Sequence, residues 1–240
     1  MILHFDTVKR SGILCAMPRI PRIDVGGEIY HVINRANARL PIFFKEGDYK
    51  LFENILEEAQ KKVDMRILAY CLMPNHFHLV LYPRQDTDLQ KFMQWLTLTH
   101  TQRWHTINKT IGTGHLYQGR YKAFLIQGDK HLFSVIRYVE QNPLRAKIAS
   151  RAENWNFSSL SRRLFPDTTK RSILTEWPIQ MPEDYLAFVN AWMDEEEKEK
   201  IEHSIIKSKP FGADQWTEDI VEKYELKATT RKRGRQIKGT

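Results

Sequence analysis

No stretch of this chain restricts its fold more than residues 65–82, Met-Arg-Ile-Leu-Ala-Tyr-Cys-Leu-Met-Pro-Asn-His-Phe-His-Leu-Val-Leu-Tyr. Two runs rich in apolar and aromatic residues, Arg66–Leu72 and Phe77–Tyr82, flank Met73-Pro74-Asn75. Proline has no N–H to give to a sheet ladder, so the pattern predicts two strands joined by a turn. Side chains alternate across a strand, which puts His76 and His78 on one face and Phe77 and Leu79 on the other. Two imidazoles side by side on a sheet supply two-thirds of a small metal site. Taken alone they read more simply as two unrelated polar residues at a strand end.

A second segment changes that balance. In residues 128–143, Asp129 is placed to cap a helix, and Leu132, Phe133, Val135, Ile136 and Val139 give it an apolar face. Pro143 predicts that this helix stops at Asn142. Tyr138 and Asn142 are four residues apart and therefore stack on one face. A phenol beside an amide carbonyl, aimed at the two histidines, would place a nucleophile next to a three-ligand cation.

Of the 240 residues, 37 are Lys or Arg and 29 Asp or Glu, a net charge of +8 that favours a polyanionic partner. Two cysteines, Cys15 and Cys71, are too few for a disulfide framework or a cysteine zinc site, so a reducing cytoplasm is the expected compartment. No apolar run approaches the ~20 residues that span a membrane, and the opening residues lack the pattern of a signal peptide.

Along the chain, Gly26-Gly27 precedes a strand predicted over residues 28–34, with Arg35, Asn37 and Arg39 at its exit. Asp48 is expected to cap a helix running to about Val63, and Asp86 or Asp88 one from Leu89 to about His105. A glycine-punctuated loop over 111–119 leads into a strand over 120–126, which opens with Arg120, Tyr121 and Lys122. The tyrosine helix follows, with Arg145 and Lys147 beyond it. The order β-α-β-β-α-β-α predicts an α+β fold, a ferredoxin-like antiparallel sheet with helices on one face. Composition shifts near residue 150, which suggests a domain over 17–150 and a mainly helical extension over 151–226. In that extension one helix is expected from Pro182 through Trp192 into the charged run 194–200, and a short one near Trp216. A basic tail over 227–240 carries Arg231, Arg233 and Arg235 and no acidic residue. Residues 1–16 read as an upstream extension or a disordered arm, with Met17 a candidate start.

Four blocks, in order, resemble a known family: 27–37 (Gly-Glu-Ile-Tyr-His-Val-Ile-Asn-Arg-Ala-Asn), 73–80, 117–122 (Tyr-Gln-Gly-Arg-Tyr-Lys) and 137–146 (Arg-Tyr-Val-Glu-Gln-Asn-Pro-Leu-Arg-Ala). They are similar to the REP-associated tyrosine transposases, cousins of the insertion-sequence-200-like transposases within the His-hydrophobe-His superfamily. Residues 209–216 and Arg233-Gly-Arg235 resemble the carboxyl end of longer members, although Gln236 stands where those often have proline. The resemblance implies a metal-dependent transposase and endonuclease that cleaves and rejoins single-stranded DNA beside palindromic hairpins through a 5′-phosphotyrosine. It assigns Tyr138 as nucleophile and His76, His78 and Asn142 as ligands of a magnesium or manganese ion. It also implies a bacterial, nucleoid-associated protein, monomer or homodimer, whose partner is hairpin DNA of the repetitive extragenic palindrome type. DNA contacts are expected from Arg35, Asn37, Arg39, Arg120, Tyr121, Lys122, Arg145, Lys147 and the tail arginines, since cations interleaved with aromatics suit unpaired strands. Two rival readings remain: a hairpin-binding regulator without catalysis, and a metal-dependent hydrolase using water, which needs a carboxylate near the metal.

Overall fold

The computed structural model describes residues 23–166 and 172–231. The expectations for residues 1–16, Met17, Arg233 and Arg235 lie outside them. Four strands, β1 (Ile29–Arg35), β2 (Arg66–Met73), β3 (His76–Tyr82) and β4 (Lys122–Ile126), form one sheet in the order β2-β3-β1-β4, every neighbouring pair antiparallel. This is the ferredoxin-like arrangement that the element order predicts. The β2–β3 hairpin turns on Pro74-Asn75 alone, so His76 already lies in the strand, opposite Met73.

Alternation divides the sheet into two faces. Tyr30, Val32, Tyr70, Leu72, Phe77, Leu79 and Leu81 face α1 (Glu46–Lys62) and α2 (Asp88–Asn108), whose Phe52, Ile55, Leu56, Phe92 and Leu96 complete that core. Each fully buried phenylalanine there contributes about 2–3 kcal/mol of transfer free energy. The opposite face, with Ile29, Val80, Phe124 and Ile126, takes α3 (Lys130–Glu140) through Leu132, Val135, Ile136 and Val139. The sheet is thus covered on both sides, where the sequence reading put the helices on one: the first two helices share one face, and the tyrosine helix lies on the other, because its Leu132, Val135, Ile136 and Val139 bury against Val80, Phe124 and Ile126.

Helix ends follow local chemistry, with some shifts from the sequence expectation. Asp48 caps α1 from inside its first turn, accepting from Phe44 N at 2.9 Å and Lys45 N at 3.1 Å. Neither Asp86 nor Asp88 caps α2. That role falls to Asp24, whose carboxylate accepts from Leu89 N and Gln90 N at 3.0 and 2.7 Å. Asp129 caps α3 as expected, accepting from His131 N at 2.9 Å. The helix ends at Glu140, and Pro143 occupies the first turn of a short α4 (Asn142–Arg145). Proline's missing N–H costs nothing there, so it continues the helical path after a break at Gln141.

The extension comprises α5 (Ser159–Leu164), α6 (Tyr185–Asn190), α7 (Glu195–Lys207), α8 (Asp214–Lys223) and α9 (Lys227–Thr230). Where one helix was expected from Pro182 to Lys200 there are two. Ala191 turns extended, and Asp194 starts α7 by accepting from Glu197 N at 3.1 Å. The extension shares the cores of the sheet: Ile173, Ile220 and Leu226 join one face, and Leu160, Tyr185, Val189 and Ile201 the other. Glu140, fully buried at the end of α3, anchors it by accepting from Ser159 Oγ and Tyr185 Oη, both at 2.5 Å. Among the described residues no helix is long and apolar enough to cross a membrane.

Burial of neutral histidines makes stability depend on pH. His31 and His100 are fully buried, and desolvation lowers both to about 3. A depressed base adds stability that is complete above its unfolded value near 6.5 and lost as pH falls toward 3. Between pH 7.5 and pH 5 each should forfeit about 2 kcal/mol. Glu140, raised to about 6 by burial, has the opposite sign and restores about 1 kcal/mol over the same interval. The expected result is a clearly lower denaturation midpoint at pH 5, measured by urea titration. An unchanged midpoint would show that these rings are solvated.

Candidate active site

The face that carries α3 brings the sequence-picked residues together. His76 and His78 project from β3 with ring centroids 5.0 Å apart, and the Tyr138 ring lies 6.0 Å from that of His78. Tyr138, Asn142, His76 and His78 line one cavity of about 610 Å3, together with Arg35, Arg120, Lys122 and Arg145. Asn142 is held against the end of α3, its Nδ2 donating to Tyr138 O at 3.0 Å and Val139 O at 3.2 Å. That leaves Oδ1 to accept from Arg145 Nη2 at 3.1 Å.

Each histidine has one ring nitrogen engaged and the other without a hydrogen bond among the described residues. His76 Nδ1 meets Asn75 Oδ1 at 2.6 Å, and His78 Nδ1 meets His31 Nε2 at 2.8 Å. A ligand imidazole is commonly held this way, one nitrogen fixed by an outer partner and the other presented to the ion. Burial, with the nearby Arg35 and Arg145 cations, lowers His76 to about 4. Burial and the neighbouring rings hold His78 well below the usual histidine value. Both are neutral near pH 7, the form that can ligate. No cluster of three His, Cys, Asp or Glu groups forms a ready metal cage among the described residues. Two imidazoles plus the Asn142 carbonyl oxygen make a mixed donor set, which fits manganese readily and magnesium with retained waters.

Tyr138 is almost wholly buried, and that burial raises its phenol above the ordinary value near 10. Arg145 opposes the shift, with its guanidinium carbon 3.8 Å from the centroid of the Tyr138 ring. Glu202, from α7, pushes the phenol up further.

Other expected contacts fare differently. Arg35, Arg120 and Lys122 line the cavity, while Asn37, Arg39 and Lys147 are exposed outside it. Arg231 is exposed at the end of the described chain. Tyr121 is mostly buried against the core of the α1–α2 face and lines a groove along α2 rather than the cavity of the histidines. A shallower groove of about 1090 Å3 along α2 shares Asn34, Gln118, Gly119 and Arg120 with the cavity and is lined by Gln90, Gln94 and Thr97. Sequence reasoning missed His31 and the α7 wall of Glu202, Ile205 and Ile206. Strand alternation already put His31 on one face with Arg35, but only the β1–β3 register makes it a diagonal neighbour of His78. Nothing local in α7 marks Glu202.

Residues 25–142 match the sequence model of the family described as Transposase IS200 like. That match covers just under half of the chain. The chain is also similar to a Haemophilus influenzae protein named as a REP-associated tyrosine transposase, 21% identical over 119 residues, covering 46% of this chain and 68% of that one. Among solved structures it is similar to a REP-associated tyrosine transposase bound to a REP hairpin, at 16% identity and TM-score 0.49, covering 67% of this chain and 92% of that one. A second likeness, to a transposase-like protein from Deinococcus radiodurans, has 18% identity and TM-score 0.35, covering 50% and 84%. The IS200-like match stops at Asn142, so the rest of α4, with Arg145, and all of α7 lie outside it.

Proposed function

We propose that this protein cleaves and rejoins single-stranded DNA beside a hairpin, with Tyr138 as nucleophile and a divalent metal held by His76, His78 and Asn142. The observation that carries the reading is the meeting of a phenol, two neutral imidazoles and the Asn142 amide oxygen in one cavity rimmed by Arg35, Arg120, Lys122 and Arg145. The ion, when bound, polarises the scissile phosphate and draws off charge as the bond breaks. Tyr138 Oη attacks phosphorus, and the O3′–P bond breaks as the Oη–P bond forms. The phenol gives up its proton, and the leaving O3′ takes one up as a hydroxyl. One phosphodiester replaces another, so the step is nearly isoenergetic and reversible, and rejoining needs no nucleotide cofactor. Arg145, stacked on the ring, favours the phenolate and offers its remaining N–H groups to a phosphate oxygen. The exposed cations beyond the cavity supply salt-dependent affinity for the flanking backbone.

The test is incubation with a labelled hairpin bearing single-stranded flanks, with manganese, resolved on a denaturing gel. A covalent protein–DNA band is expected from the flanked hairpin and not from a fully complementary duplex, because the attacked phosphate must bend into the cavity. Equal adduct from the duplex, or none from either, would overturn the reading.

One observation lends weight to a water-using hydrolase: Glu202 brings into the cavity the carboxylate that Glu140, turned to Ser159 and Tyr185, does not supply. The two readings diverge for Glu202→Gln. With tyrosine as nucleophile, loss of this negative charge should leave adduct formation intact or raise it roughly two- to tenfold, since a phosphate must enter the same space. With water as nucleophile and Glu202 as its base, turnover should fall at least about a hundredfold.

A further inference from the structure

We infer that His31 is a positioning residue for His78, setting which ring nitrogen of that ligand carries the proton; the inference rests on the proposed role of His78 as a metal ligand. His31 lies in the middle of β1, completely buried, with its Nε2 2.8 Å from His78 Nδ1 and the two ring centroids 5.1 Å apart. Only one proton can lie between those nitrogens, so one ring donates and the other accepts. If His78 offers Nε2 to a cation, its proton must be on Nδ1 and must be donated to His31 Nε2. In the reverse arrangement His31 donates, His78 carries its proton on Nε2, and the ligand lone pair is gone.

His76 faces no such choice. Asn75 Nδ2 donates to Arg39 O at 2.9 Å, which leaves Asn75 Oδ1, an acceptor only, against His76 Nδ1 at 2.6 Å. The proton of His76 is therefore fixed on Nδ1 and its Nε2 is permanently available. For His78 the outer partner is a second imidazole, able to give or to take, and so the readiness of the ligand depends on His31.

The surroundings of His31 support a role beyond filling space. Its Nδ1 is buried without a partner among the described residues, and its ring packs against Phe124 at 4.9 Å between centroids. An apolar side chain would fill this position without stranding a polar atom, and the single hydrogen bond the imidazole makes is to His78. With His78 in its ligating form, His31 keeps its own proton on Nδ1, against the Phe124 wall, and presents Nε2 purely as an acceptor.

The test is a titration of the full chain with Mn2+ alone, without DNA, following the free ion by electron paramagnetic resonance in wild type, His31→Leu and His31→Gln. Wild type should bind. His31→Leu, which cannot accept from His78, should bind about 10- to 100-fold more weakly. His31→Gln, whose amide oxygen can accept, should recover to within a few fold. Hairpin affinity and the thermal midpoint of the two variants should stay close to each other, so that a loss confined to Mn2+ is not a folding defect. Equal Mn2+ affinity in wild type and His31→Leu overturns the role of His31 and leaves the ligand assignment standing. Failure of wild type to bind Mn2+ overturns the ligand assignment, and the inference with it. Should His31→Leu not fold, nitrogen-15 spectra of the wild-type histidines with Cd2+ decide: protons on Nδ1 of both His78 and His31 are expected, and a proton on His31 Nε2 would sink the proposal.

Discussion

Tyr138→Phe is expected to fold, to bind a flanked hairpin with wild-type affinity, and to form no covalent adduct. The substitution removes one oxygen and keeps the ring that packs against His78 and beneath Arg145. Affinity comes from cations on the rim, so it should change by less than about twofold. Adduct formation should fall at least about a thousandfold, which corresponds to ~4 kcal/mol of barrier. The phenols that could compete sit badly for the task. Tyr117 Oη is bonded to His100 Nδ1 at 2.6 Å inside the opposite core, and Tyr121 is buried in that same core. An adduct that survives Tyr138→Phe would move the nucleophile elsewhere and unseat the proposed mechanism.

His76→Ala and His78→Ala should each lower manganese-dependent cleavage at least about a hundredfold while leaving hairpin binding near wild type, because a lost ligand removes charge stabilisation worth several kcal/mol. The two should differ in stability. His78 is fully enclosed between His31, His76 and Tyr138, so truncation leaves a cavity and strips His31 of its one partner. A cost of about 2 kcal/mol or more is expected at that site, and less at half-buried His76. Asn142→Ala should weaken cleavage less than either, since water can take the vacant position. Cleavage that persists in EDTA at the wild-type rate would remove the metal from the mechanism altogether.

Much of this site was readable from the chain because its logic is local. Period-two alternation is enough to put His76 and His78 on one face, and a four-residue spacing is enough to stack Asn142 against Tyr138. The element order is enough to place β3 in the middle of a four-stranded sheet. What escaped depends on distances that no window of sequence contains. Asp24 caps α2 through Leu89, 65 residues away, a bond that exists only once the loop before β1 has folded back over α2. The Pro182–Lys200 stretch has helical periodicity throughout, yet Asp194 competes for the backbone and splits it. Glu202 reaches the cavity because α7 packs back against α3 and β4, which nothing in its own charged run reveals. Tyr121 sits beside two cations in the sequence, but strand alternation turns its ring away from their side of the sheet.

The buried carboxyl of Glu140 bears on what the smallest working unit of this protein is. It closes the helix that carries Tyr138, and both of its bonds go to residues past the matched family segment. A version trimmed at about residue 150 would leave that acid facing vacated space, with no hydroxyl on either oxygen. The protein that remained would keep every residue proposed for the chemistry and lose the footing that aims the tyrosine. In this chain the boundary of the reactive parts and the boundary of the foldable part do not coincide.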